Sequence, residues 1–127
     1  MLPERAWGDA ESLKVLPAER GGGEEAVSPY FLLIAHVPAE IYLQTIVMGR
    51  VFERFPNLRF AILEYGTAWV GPCVERMDMW AGFQAKVLGR KFEMMPSEYM
   101  KRNVRVGPFF HEDVRLQLDR YGLEEIY

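Results

Sequence analysis

A single cysteine, Cys73, stands in this chain of 127 residues. No internal disulfide can form, and the chain fits a reducing compartment, with the cytoplasm as the default. Long apolar runs are missing as well. The longest, Tyr30 to Ala35, falls far short of the roughly 18 residues that a membrane helix needs. The start, Met1-Leu2-Pro3-Glu4-Arg5, has no basic stretch followed by an apolar core, so a secretory signal is not expected. Positive charge is not in excess: the formal net charge is −3. No cluster of Lys and Arg is interleaved with aromatics, which argues against a nucleic-acid partner. Gly21-Gly22-Gly23 follows no strand and opens no helix, so it is not a phosphate loop. No internal repeat is present.

What is there suits one soluble globular domain with a real core: 50% of residues are hydrophobic and 26% charged. Residues 1–28 are poor in pattern, broken by Pro3, Pro17 and the Gly21–Gly23 run, and read as a flexible arm or loop. Tyr30 to His36 is a short buried strand or the lead-in to a helix; periodicity does not separate the two. After Pro38 the pattern turns helical. Leu43, Val47, Val51 and Phe55 recur every fourth residue with Ile46 alongside, and Pro56 ends the stripe. Leu58 to Leu63 then reads as a strand covered on both faces.

Gly66-Thr67 can cap a second helix whose apolar face is Val70, Val74, Met77 and Ala81, running to Leu88 with Gly89 as the stop. Pro96 to Arg102 reads as a short helix with proline in its first turn. Val104 to Phe110 is the next strand, kinked at Gly107-Pro108. Glu112 to Tyr121 is helical, with Gly122 as its stop, and Glu124 to Tyr127 starts a further strand. Strands that alternate with helices imply an α/β fold with parallel strands joined by crossovers.

Glu64, at the end of the Leu58–Leu63 strand, is the first candidate for chemistry. Parallel α/β enzymes keep reactive groups at the C-terminal ends of their strands. The plain alternative is a strand-end acid that pairs with an arginine or caps the following helix. His36 would be a ligand, proton carrier or substrate contact, or a histidine hydrogen-bonded beside an apolar element. His111 follows Phe109-Phe110 at a strand end and reads as a loop residue. Arg76 and Asp78 read as structural ion pairs, Cys73 as a small apolar filler, and the methionines as core or lid residues. Trp69 and Trp80 read as core or interface.

Four segments carry a resemblance: Gly49 to Leu58 as Gly-x-Val-Phe-Glu-x-Phe-Pro-x-Leu; Glu64 to Trp69 as Glu-x-Gly-x-x-Trp, followed by Arg76-Met77-Asp78; Pro96-Ser97-Glu98-Tyr99 leading to Asn103-Val104; and Gly122-Leu123-Glu124-Glu125-Ile126. In this order and spacing the chain resembles the amidohydrolase-related family of metal-dependent TIM-barrel hydrolases and decarboxylases. The match lies on the C-terminal half of that barrel. The resemblance therefore implies an α/β fold that is a partial (β/α)8 TIM barrel, with residues 29–127 as the C-terminal half-barrel. It implies metal-assisted hydrolysis or non-oxidative decarboxylation of a small carboxylic or aromatic acid. The implied cofactor is a divalent metal, zinc by expectation, in the complete enzyme. Glu64 would bind it or act as a base, since some members have histidine here and others glutamate. His36-Val37-Pro38-Ala39-Glu40 is similar to a His-Pro-x-Glu segment with one residue more.

The family's His-x-His pair and its last-strand aspartate are not in this sequence, so the implied metal site is incomplete in this chain. The resemblance thus leaves two expectations. One is an enzyme's C-terminal portion that meets the missing barrel half or a second copy of itself. The other is a fragment or assembly module with no activity of its own. A small-molecule binding protein without chemistry has no signature here.

Overall fold

A computed structural model describes residues 33–127. The expected arm at 1–28 and its boundary with residue 29 lie outside them, as do Tyr30–Leu32 of the candidate strand at Tyr30–His36; the rest of it, Leu33–Ile34 in a helix and Ala35–His36 in a turn, is not a strand. His36–Tyr127 form one compact unit. Its elements are α1 (Val37–Met48), α2 (Val51–Arg54), β1 (Phe60–Ile62), α3 (Val70–Leu88), α4 (Pro96–Asn103), β2 (Val104–Val106) and α5 (Val114–Tyr121).

The helix after Pro38 forms, but it breaks earlier than its apolar stripe suggests. The Gly49 N–H donates to Thr45 O at 2.9 Å and the Arg50 N–H to Val47 O at 3.0 Å. Arg50 then takes the left-handed region, with φ 61°. A Cβ at position 49 would collide with the Thr45 carbonyl oxygen, so glycine is required there by close approach. The break rotates the next turn. Leu43 and Val47 are buried as expected, but Phe52 replaces Val51 in the core and Phe55 is 58% exposed.

The two strands pair in parallel, Phe60 with Val104, Ala61 with Arg105, Ile62 with Val106. Parallel neighbours need a crossover connection, and α3 and α4 supply it. The fold is α/β with a small parallel sheet. Both strands are shorter than the sequence pattern. At the start of β1 the buried Asn103 amide donates to Pro56 O at 3.0 Å and Leu58 O at 2.7 Å, so a side chain takes the acceptor that a strand would offer its neighbour. At the end of β2, Gly107 N still donates to Ile62 O at 2.9 Å; the next N–H on that edge, Phe109's, goes instead to the Glu112 carboxylate at 2.7 Å.

The sheet is covered on one face, not on both. Ile62, Val104 and Val106 are buried, whereas Ala61 and Arg105 are exposed and Leu63 is 64% exposed. Alternation of this kind is the ordinary signature of a sheet with one packed face. The covered face shares one buried core with α3, whose Val70, Val74, Met77 and Ala81 are buried as their helical spacing requires, with Cys73 beside them. Leu43 and Phe52 from one side and Tyr99 and Met100 from the other complete this core. Full burial of each such side chain contributes about 1.5–3 kcal/mol.

The helix stops read from glycine hold. Gly89 and Gly122 both sit at positive φ, 64° and 59°. The α4 start is set by Pro96 and by Glu98, whose carboxylate accepts from the Met95 N–H at 2.7 Å. Asp113 caps α5 by accepting from Leu116 N–H at 3.2 Å. Glu124–Ile126 form a turn, not the start of a strand. The Ile126 carbonyl nonetheless accepts from Val106 N–H at 2.8 Å, on the edge of β2 that β1 leaves free.

Candidate functional site

The C-terminal ends of β1 and β2 lie side by side, because the strands are parallel and in register. The loop after β1 carries Glu64, and the loop after β2 carries His111 and Glu112. Glu64 is exposed and sits at φ 66°. A non-glycine residue there is strained by roughly 1–3 kcal/mol, so the surrounding loop must hold it. The Trp69 indole does part of this. It is 8% exposed, and its N–H donates to Tyr65 O at 3.1 Å and Gly66 O at 2.9 Å.

His36 reaches the same loop. Its ring stacks on Trp69 with centroids 5.9 Å apart and planes at 21°. On its other side His36 Nε2 lies 3.7 Å from a Glu40 carboxylate oxygen. Glu40 is a hub between α1 and α3: it also accepts from Gln44 Nε2 at 3.0 Å and from the Arg76 guanidinium. Gln44 Nε2 lies 3.5 Å from Cys73 Sγ. Burial pushes the Cys73 thiol up to about 11, so this cysteine is a packed neutral group, not a nucleophile. Arg76 and Asp78 do not pair with each other. Arg76 goes to Glu40, and Asp78 accepts from the Ser97 N–H at 2.8 Å. The two ends of the Arg76-Met77-Asp78 segment thus tie α3 to different helices.

Sequence reasoning missed Glu112. Its carboxylate accepts from Thr67 N at 2.8 and 3.0 Å, from Ala68 N at 3.1 Å and from Phe109 N at 2.7 Å. Partial burial acts to raise its pKa, but these backbone N–H groups outweigh it and hold the carboxyl below its ordinary value. No local signal could have shown this, because Thr67 and Glu112 are 45 residues apart. His111 is exposed and stacks on Phe109, with centroids 5.4 Å apart.

Among the described residues, no three His, Cys, Asp or Glu side chains come together as a metal-ligand set. The structure brings His36 to the loop of Glu64 but adds no third ligand to them. A divalent metal does not fit on these residues alone. A cavity of about 360 Å³ lies between α3, α4 and α5, lined by Glu75, Asp78, Lys101 and Arg120 among others; none of its lining comes from the strand-end loops. Among the described residues, no helix is long and apolar enough to cross a membrane.

No family model matches the chain, and no curated protein sequence does. Among solved structures, it is similar to an amidohydrolase from Mycobacterium avium subsp. paratuberculosis K-10, with a TM-score of 0.63 and 22% identity. The alignment covers 81% of this chain and 26% of that one. The likeness is one of fold: the α/β arrangement seen here is shared with about a quarter of that amidohydrolase's length.

Proposed function

We propose that these residues are the later βα units of an amidohydrolase-type TIM barrel, forming the C-terminal portion of a metal-dependent hydrolase or non-oxidative decarboxylase. The substrate would be a small carboxylic or aromatic acid. One observation carries the reading. Two parallel strands place a strained carboxylate, Glu64, and a second loop at their common C-terminal end, within a fold shared with an amidohydrolase. That end is where barrels of this kind hold their chemistry.

In this reading the open sheet face, with Ala61, Leu63 and Arg105, is the inner face of the barrel. Glu64 acts as a base at the rim. His36, oriented by Trp69 and Glu40, passes a proton or contacts the substrate. The metal would need ligands beyond the described residues. The zinc-loaded protein, produced from its complete reading frame, is assayed on a panel of small aromatic and aliphatic acids for CO2 release. The corresponding amides and esters are assayed for hydrolysis. Turnover that a chelator stops and zinc restores supports the enzyme; no turnover on the panel with zinc bound overturns it.

A second reading, an assembly module without activity of its own, is favoured by the same open face, where Leu63 is 64% exposed. Under that reading the chain associates with a second copy through this face. Sedimentation of a stable monomer at tens of micromolar would count against it.

A further inference from the structure

We propose that Glu112 is the positioning residue for the Glu64 loop: one carboxylate that clamps the loops after β1 and β2 into a single rim. As a clamp it stands on its hydrogen bonds; as a positioning residue for catalysis it rests on the proposed enzyme function.

Three backbone N–H groups converge on this carboxylate. Two of them, Thr67 and Ala68, come from the loop that carries Glu64, and the third, Phe109, from the loop after β2. Without the carboxylate, the N–H of the fully buried Thr67 would lose its acceptor, which is more costly than losing an exposed bond; the Ala68 and Phe109 bonds lie nearer solvent. Bonds to an ionised acceptor are also roughly twice as strong as neutral ones. The loops are shaped for it. A Cβ on Gly66 would lie 2.9 Å from Glu112 Oε1 and 3.1 Å from the Phe109 ring, and Gly66 sits at φ 65°. Only glycine satisfies both demands.

The clamp is braced from behind. Thr67 is fully buried, its hydroxyl accepts from Gln117 Nε2 at 3.1 Å, and Gln117 Oε1 accepts from Tyr127 OH at 3.2 Å. Only Tyr65 and Gly66 separate Glu64 from Thr67. The left-handed backbone at Glu64 is therefore fixed between β1 on one side and the clamped N–H pair on the other. This is how a loop holds a strained residue that its own sequence does not favour.

The test is NMR on the full chain, comparing wild type with Glu112→Gln and Glu112→Asp. In Glu112→Gln, the Thr67, Ala68 and Phe109 amide resonances move together. Their hydrogen exchange speeds up about tenfold or more, and the carbon shifts that report positive φ at Glu64 are lost. The Asp variant keeps the charge and shows smaller changes of the same kind, which preserves the comparison if the Gln variant fails to fold. Amides that respond separately, or not at all, overturn the clamp. If the clamp is present but Glu64 keeps its positive-φ signature without it, the positioning role is overturned. Neither readout needs turnover, so a failed activity screen leaves this result standing on its own.

Discussion

The Glu40 carboxylate on α1 accepts from the Arg76 guanidinium on α3, 36 residues away in sequence. It ties together two helices that pack on the same core. Glu40 is mostly shielded, but the Arg76 side chain is 52% exposed, so solvent screens the pair. Arg76→Ala should cost about 0.5–1 kcal/mol. Glu40→Ala should cost somewhat more, because Gln44 also loses its acceptor. Urea unfolding of the two single variants and the double variant measures the coupling. A coupling indistinguishable from zero would mean the pair contributes only geometry.

Gly71 is buried in the first turn of α3, and a Cβ there would run into the Tyr121 ring. Two effects compete in Gly71→Ala. Helix propensity gains up to about 1 kcal/mol, and overpacking costs about 1–3 kcal/mol. The ring belongs to a helix and is itself covered by the Arg120 guanidinium at 5.2 Å, so packing should win and the unfolding midpoint should fall. Adding Tyr121→Ala should recover part of the loss. A more stable Gly71→Ala would show that α3 and α5 pack less closely than described.

Acid should weaken the fold through Glu112. Its carboxyl is held below the ordinary value, with burial opposing and the Thr67, Phe109 and Ala68 N–H groups prevailing. A depressed folded pKa contributes stability above the unfolded value, about 4.3, and that stability is lost as pH falls through the folded pKa. Urea midpoints measured from neutral pH down to acid should therefore drop less steeply in Glu112→Gln than in wild type. Parallel curves would contradict this.

Ala61 and Arg105 are register partners on the open face. Neighbouring strands lie about 4.8 Å apart, within reach of a disulfide. Ala61→Cys with Arg105→Cys should cross-link under mild oxidation, faster than Ala61→Cys with Gly107→Cys, while the buried Cys73 stays unreacted. The reverse order of rates would displace the register and with it the shared rim.

The parts of the fold that show in the sequence are those where local rules and packing agree. The α3 stripe of Val70, Val74, Met77 and Ala81 has one period and one partner surface, and Gly89 and Gly122 end helices because only they take left-handed φ freely. Strand lengths did not show, since they were decided by side chains outside the strands: Asn103 captures the Leu58 carbonyl, and Glu112 captures the Phe109 N–H. The break at Gly49–Arg50 was hidden because the apolar spacing runs straight through it. At the rim, Glu64 stood out by its position after a core run. Glu40 lay unremarked within the His36–Glu40 segment, and Glu112 was invisible because a carboxylate that binds backbone N–H groups leaves no residue-type signature on its partners.

The most direct measurement is the turnover of Glu64→Gln in the zinc-loaded protein made from its complete reading frame, set beside wild type. A positioned general base contributes about 10²–10⁴-fold, so kcat should fall by at least about 10²-fold while the urea midpoint and zinc content stay the same. Wild-type turnover in Glu64→Gln would contradict the account, because the carboxylate at the strand end would then be a loop residue and nothing more.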